Sequence, residues 1–216
     1  MSTFKFIFGP VSCGKTIELV KQAHQITKIH GKGAVKLMKP DFDTRYGAES
    51  IKSACGLTMK ADYIVGKKDN ILDLEIEPEI YLLVDEVQFM TVDQMIQLRK
   101  LSLEKNIAVE CYGLLKDFRN DMFHASAKLL ELVDNMKLVK TFCYFCSKNK
   151  LPTKQANATC SMKIIKDENG NIFPTTEGEK CQCGGIETYV PTCSKCFMMA
   201  FKEVEMTPFV LSQYEQ

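Results

Sequence analysis

Gly9-Pro10-Val11-Ser12-Cys13-Gly14-Lys15-Thr16 combines residue types at a spacing that can grip phosphate: glycine, four further residues, then Gly-Lys-Thr. Gly9 and Gly14 allow backbone angles and close approaches that a side chain would block. Successive N–H groups can then line a concavity for phosphate oxygens. The partial positive end of a following helix faces the same anion. Lys15 adds a mobile cation, and the Thr16 hydroxyl can ligate Mg²⁺. The bland alternative is a glycine turn beside a surface lysine. The apolar run Phe4, Phe6, Ile7, Phe8 before the loop and the amphipathic segment from Ile17 favour the phosphate reading, because such a loop works between a strand and a helix.

Asp85-Glu86 ends the continuous apolar run Ile80-Tyr81-Leu82-Leu83-Val84. An Asp at the end of a buried strand can hold Mg²⁺ opposite Thr16. A second acid beside the γ-phosphate can accept a proton from an attacking hydroxyl or from water. The competing reading is a strand-end acid that caps the helix opening at Thr91. Cys143-Tyr-Phe-Cys146 and Cys193-Ser-Lys-Cys196 are two Cys-x2-Cys knuckles, and four thiolates can surround Zn²⁺ tetrahedrally. The segment between the knuckles is longer than a minimal ribbon needs and leaves room for a folded loop. A redox pair competes for either knuckle alone. Cys181-Gln182-Cys183 has a spacing less suited to a tetrahedral knuckle. Cys13, Cys55 and Cys111 read as buried or half-buried thiols. His24, His30 and His124 carry no assigned chemistry.

These groups need elements to hold them. Phe4–Phe8 reads as a short buried strand. Leu19, Val20, Ala23, Ile26 and Thr27 recur at helical spacing up to Gly31. Ala34–Met38 predicts a second strand, closed by Pro40. Residues 41–59 read as polar and irregular, followed by a strand over Asp62–Val65 and a short helix over Asn70–Leu74. Ile80–Val84 suits a parallel strand covered on both faces. Thr91 and Gln94 form a capping-box pattern for a helix bearing Val92, Met95, Leu98 and Leu101. Ile107–Leu114 predicts a strand, Ser126, Leu129, Leu130 and Val133 a helix stripe, and Lys137–Phe142 a returning strand. This alternation predicts an α/β fold, a P-loop-like and mostly parallel sheet flanked by helices on both faces. Ligands of such sheets sit at the carboxyl ends of the strands. From Cys143 regular helical patterns stop, and Met162–Phe173 reads as a hairpin turning at Asn169-Gly170. The expected division is a nucleotide-binding domain over 1–140, a zinc-ribbon domain over 141–200 and a tail over 201–216.

With 216 residues, 45% hydrophobic and 25% charged, the chain has the composition of a globular protein. A net charge of +1 argues against nucleic acid as an obligatory partner. No apolar run is long enough to cross a bilayer, and the amino terminus lacks the regions of a signal peptide. The expectation is a cytoplasmic protein whose ten cysteines are thiols or metal ligands.

The motifs taken together resemble one family. They are the phosphate loop, Asp43-Thr44-Arg45, Asp85-Glu86-Val87-Gln88-Phe89, Gly113-Leu114 with Asp117-Phe118-Arg119 and Phe123, and the cysteine segment with Gly184-Gly185 and Tyr189-Val190-Pro191-Thr192-Cys193. This order is similar to the zinc-containing thymidine kinases of the cytosolic type, and to their bacterial-like members, from about Phe4 to Phe197. The resemblance implies ATP-dependent phosphorylation of the thymidine 5′-hydroxyl, with deoxyuridine as an alternative acceptor, in nucleoside salvage for DNA synthesis. It implies that Gly9 to Thr16 hold the ATP phosphates, with Arg45 and Gln88 nearby. Thr16 and Asp85 would serve Mg²⁺, and Glu86 would be the base. Val11, Phe89, Leu114, Phe118, Phe123, Ser161 and Tyr189 would line the thymine site. The backbone at Gln182, Cys183 and Gly184, in a segment like the family's lasso loop, would bond the base edge. Structural Zn²⁺ would sit on Cys143, Cys146, Cys193 and Cys196. The resemblance also implies a homotetramer and feedback inhibition by thymidine triphosphate, while charge and the lack of a long apolar run give the expectation of neither nucleic acid nor membrane as partner.

The chain departs from the family at three places. Val11 stands where many members carry Met, and Cys13 replaces a Ser or Ala. The segment Ser147–Asn157 is longer than usual, so Thr159 competes with Ser161 for the position near the base. Two rivals remain beside the kinase reading. One is a zinc-ribbon switch protein that uses ATP or GTP without a nucleoside, although Glu168, Glu177, Glu179 and Glu187 count against a basic nucleic-acid face. The other is a kinase for a different nucleoside, because a 5-methyl contact discriminates by only ~1–3 kcal/mol.

Overall fold

The computed structural model describes residues 3–42, 49–148, 157–168, 172–178 and 188–203. They fall into two compact units. One takes Met1–Phe8, Gly14–Leu115 and Met122–Val139; the other takes Gly9–Cys13, Lys116–Asp121 and Lys140–Gln216.

The first unit runs β1 (Phe4–Phe8), α1 (Lys15–His30), β2 (Val35–Pro40), β3 (Ser50–Lys52), β4 (Thr58–Lys60), β5 (Tyr63–Val65), β6 (Tyr81–Val84), α2 (Val92–Glu104), β7 (Ala108–Gly113), α3 (His124–Leu132) and β8 (Asn135–Leu138). Six strands form one sheet in the order β5-β2-β6-β7-β1-β8, and every neighbouring pair is parallel. Phe8 is in register with Gly113, and Val84 with Cys111, so β1, β6 and β7 end on the same edge. Ligands of such sheets bind beyond that edge.

The strands obey a period of two, and each face of the sheet has its own core. Phe4, Phe6, Leu82, Val84, Val109 and Cys111 pack with Met95, Leu98 and Leu101 of α2 and with Ala125 and Leu129 of α3. Ile7, Leu37, Leu83 and Tyr112 pack with Leu19, Ala23 and Ile26 of α1. The expectation of helices on both faces is met. Glu110 is a buried acid on the α1 face. Its carboxylate takes the Lys5 ammonium at 2.9 Å and the Tyr112 hydroxyl at 2.8 Å, which offsets its desolvation. Burial pushes the Tyr112 hydroxyl well above the ordinary range, and the Glu110 charge adds to that shift.

Local signals worked where they combined pattern with a cap. The Thr91 hydroxyl accepts from the Gln94 N–H at 3.2 Å, and the Gln94 side chain accepts from the Thr91 N–H at 3.0 Å. α1 ends at Gly31, whose φ of 92° suits glycine. Other expectations need correction. Residues 41–59 are not irregular throughout, because β3 and β4 pair antiparallel with Gly56 in the connection at φ 92°. The strand expected at Lys137–Phe142 lies two residues earlier as β8, where pairing with β1 fixes it. The helix expected over Asn70–Leu74 is a single tight turn over Ile71–Asp73. Cys55 is exposed, unlike Cys13 and Cys111.

The second unit holds α4 (Tyr144–Lys148), β9 (Cys160–Lys166), β10 (Ile172–Pro174), β11 (Tyr189–Thr192) and α5 (Ser194–Glu203). The expected hairpin is present, with Ile172 opposite Lys166, and β11 pairs antiparallel with β9 on its other side. Its Asn169-Gly170 turn lies outside the described residues. Helical structure does not stop at Cys143: each cysteine knuckle runs into a helix, α4 and α5. Cys193, Phe197 and Ala200 are buried one turn apart against Cys143, Met162 and Val190. Among the described residues, no helix is long and apolar enough to cross a membrane.

Candidate active site

α1 begins directly after Gly14, which has φ 91° and ψ 20°. Only glycine adopts that left-handed conformation without strain. Ser12 is also left-handed, at φ 57°. Lys15 is buried at the first position of α1, although lysine heads usually reach water. The Thr16 hydroxyl lies 3.4 Å from Asp85 Oδ2. Asp85 is itself buried, and its N–H continues the β6–β2 ladder to the Met38 carbonyl at 2.9 Å. A hydroxyl and a carboxylate therefore face one another, and the residue before Thr16 is the buried Lys15. Hard divalent cations favour such oxygen donors.

The chain reverses immediately after Asp85. Glu86 takes φ 51° and ψ 40°, a left-handed conformation that a side chain adopts at some cost. A tight turn over Val87–Phe89 follows, closed by the Phe89 N–H on the Glu86 carbonyl at 3.1 Å. That reversal brings Gln88 back to Glu86, and Gln88 Nε2 donates to Glu86 Oε2. Gln88 Oε1 accepts the Leu114 N–H at 2.9 Å. The Leu114 carbonyl in turn accepts the buried Ser126 hydroxyl at 2.6 Å. Phe89 packs near Phe42 and Phe123, with ring centroids 5.1 and 6.2 Å away.

In the second unit, Ser161 Oγ accepts the Val11 N–H at 3.0 Å. Two residues expected near the base are thereby joined through backbone and hydroxyl. Phe118 is buried, 6.2 Å from the Tyr189 ring. The Arg119 guanidinium and the Lys163 ammonium lie 4.9 and 5.2 Å from the Phe118 ring centre. Arg119 also donates to the carbonyls of Thr176 and Gly178, and Lys163 donates to that of Glu177. Asp117 Oδ1 accepts the N–H groups of Arg119 and Asp121 at 2.9 and 3.0 Å, which folds the Phe118 turn.

The four knuckle cysteines converge, with their Sγ atoms all within 4.8 Å of one another. Zn–S bonds of about 2.3 Å place tetrahedral sulfurs ~3.8 Å apart. Cys146 Sγ lies 3.9 Å from Cys193 Sγ and 3.6 Å from Cys196 Sγ. The Cys196 N–H points to Cys193 Sγ at 3.5 Å, a contact that supports a thiolate. Burial pushes the Cys146 thiol up to about 11 and raises Cys196 as well. A bound cation reverses that trend, since a coordinating thiol is deprotonated outright. The cluster fits a structural zinc site.

Arg45, Gln182, Cys183 and Gly184 lie outside the described residues. The sequence assigns no chemistry to Gly113, Ser126, Arg119 or Lys163, although Gly113 and Arg119 stand in the motifs of the resemblance and Ser126 on a helix stripe. Gly113, a glycine closing an apolar strand, carries a further signal of its own.

A parallel sheet with this loop after β1 and this acid pair after β6 defines a P-loop-type α/β protein with a four-cysteine cluster that could hold a metal ion. The thymidine kinase family model matches residues 2–197. A thymidine kinase of Lactococcus lactis is 34% identical over 198 residues, covering 90% of this chain and 96% of its own. One of Streptococcus pyogenes serotype M3 is 36% identical over 198 residues, with the same coverage. One of Streptococcus gordonii is 32% identical over 197 residues, covering 90% and 95%. The chain belongs to the thymidine kinase family, and it is an enzyme of the kinase class.

Proposed function

We propose that this protein transfers the γ-phosphoryl group of ATP to the 5′-hydroxyl of thymidine, giving thymidine 5′-monophosphate and ADP. The observation that carries the reading is Glu86, set beside Asp85 at the carboxyl edge of the sheet and held there by Gln88. Gly9 to Thr16 bind the phosphates, with the Lys15 charge neutralising them. Thr16 and Asp85 would hold Mg²⁺, and the ion would supply charge neutralisation at the phosphate oxygens. Glu86 takes the proton as the 5′-oxygen forms its bond to phosphorus and the bond to the ADP oxygen breaks. Phosphoryl transfer needs little covalent help from a protein, so positioning and charge supply most of the acceleration.

Val11, Ser161, Phe118 and Tyr189, with Phe89, Leu114 and Phe123, serve the nucleoside. Deoxyuridine differs from thymidine only by the 5-methyl group and is an alternative acceptor. Residues 1–140 act as the nucleotide-binding domain and 141–200 as the zinc-bearing one. The resemblance to the family supports a homotetramer, inhibition by thymidine triphosphate and a cytoplasmic setting. Glu86→Gln tests the mechanism. It should leave ATP binding near normal and lower turnover by roughly 10²–10⁴. Near-normal turnover removes Glu86 as the base.

A further inference from the structure

Gln88 is a buried polar side chain at the centre of the site, 4% exposed. A phosphate-binding role would turn its amide towards ligand. Its two polar ends are instead committed within the protein. The Leu114 N–H can only donate, so the atom 2.9 Å from it must be the amide oxygen. That assignment leaves the NH2 group facing Glu86, and Nε2 donates to Glu86 Oε2. The amide orientation therefore follows from chemistry, because the flipped amide would set two donors against each other and an oxygen against a carboxylate.

Every support of this amide is itself fixed. Leu114 is held by the hydroxyl of Ser126, a fully buried residue of α3, on its carbonyl at 2.6 Å. Gly113 leaves the space the amide occupies, since a Cβ there would sit 2.6 Å from Gln88 Oε1 and 2.8 Å from Val87 Cγ2. The left-handed turn at Glu86 supplies the remaining condition, because it brings the acid and Gln88, two residues apart, face to face.

We infer that Gln88 is a positioning residue for Glu86. It relays the rigid end of β7, through the Leu114 N–H, to the carboxylate that accepts the 5′-hydroxyl proton. A carboxylate on a short, left-handed turn has several rotamers within reach. One bond to Oε2 from a fixed amide narrows that choice of rotamers. Positioning of this kind is strongly felt in rate, since a displacement of about 1 Å can cost ~10²-fold. The inference rests on the reading of Glu86 as the base. It replaces the expectation that Gln88 holds the nucleotide.

The test is a double-mutant cycle on the full chain, with ATP binding, nucleoside KM and kcat measured separately. Gln88→Glu keeps the oxygen for Leu114 and puts an acceptor where the donor was. Gln88→Met keeps the volume and removes both functions. Each should lower kcat by roughly 10- to 100-fold while ATP affinity and nucleoside KM stay within about twofold. In the Glu86→Gln background the same substitutions should change kcat by less than about twofold, because no base is left to position. Equal losses in both backgrounds would overturn the inference in favour of a general structural role. A weakened ATP affinity with kcat retained would return Gln88 to the nucleotide. A Glu86→Gln variant with near-normal turnover would remove the base itself, and the positioning role with it. That outcome is read from the single variant, apart from the cycle.

Discussion

Gln88 and Leu114 tie the turn after β6 to the end of β7 through one hydrogen bond of 2.9 Å between a side-chain oxygen and a backbone N–H. This contact forms only because residue 113 has no side chain. Gly113→Ala would drive a methyl group to 2.6 Å from Gln88 Oε1 and 2.8 Å from Val87 Cγ2. Overpacking a rigid interior costs about 1–3 kcal/mol. The variant should melt several degrees lower and lose turnover together with it, as followed by thermal unfolding and initial rates. An unchanged melting temperature would mean that the turn yields freely.

The cysteine cluster makes a separate prediction. Cys193→Ser replaces one of four soft ligands whose sulfurs lie within 4.8 Å of one another. Zinc should fall from about one per chain towards zero, because structural sites use all four protein ligands. Proteolysis within 141–200 should speed up in parallel, since binding energy of this kind is folding energy. Undiminished zinc would remove Cys193 from the ligand set.

Acid should weaken the contact between α2 and the start of β8. Asp134 receives both terminal nitrogens of Arg99, at 2.9 and 2.8 Å, and the Phe4 N–H at 2.9 Å. The Arg99 hydrogen bonds, with help from the Phe4 N–H and the Arg99 charge, hold the Asp134 carboxyl below the usual range. A carboxyl lowered by folding contributes stability above its unfolded pKa and loses it as pH falls through the folded value. Asp134→Asn should therefore destabilise at neutral pH and flatten the acid side of the stability profile, measured by denaturant melts. A variant whose acid slope matches the parent would exclude this carboxylate from it.

Much of this arrangement was legible in the sequence, for identifiable reasons. β6 ends a continuous apolar run and β1 and β7 are mostly apolar and buried, and such segments announce parallel strands. The loop from Gly9 to Thr16 and the two cysteine knuckles are local in sequence, so spacing alone exposes them. β3 and β4 stayed hidden because each has three residues and, of the six, only Ile51 is buried. β8 was misplaced because all four of its residues are exposed, leaving pairing with β1 rather than pattern to set its position. α5 had a signal in Cys193, Phe197 and Ala200 at helical spacing, but the cysteines drew the reading towards metal alone. The bond between Gln88 and Leu114 could not be read, since only the fold brings them together.

The most direct test of the central claim is a phosphorylation panel with γ-labelled ATP and the intact protein. The acceptors would be thymidine, deoxyuridine, deoxycytidine, deoxyadenosine and deoxyguanosine, with a reaction lacking nucleoside as control. The account predicts label on the 5′-oxygen of thymidine, weaker transfer to deoxyuridine, and little release of phosphate without an acceptor. Hydrolysis of ATP at the same rate with and without every nucleoside would contradict it.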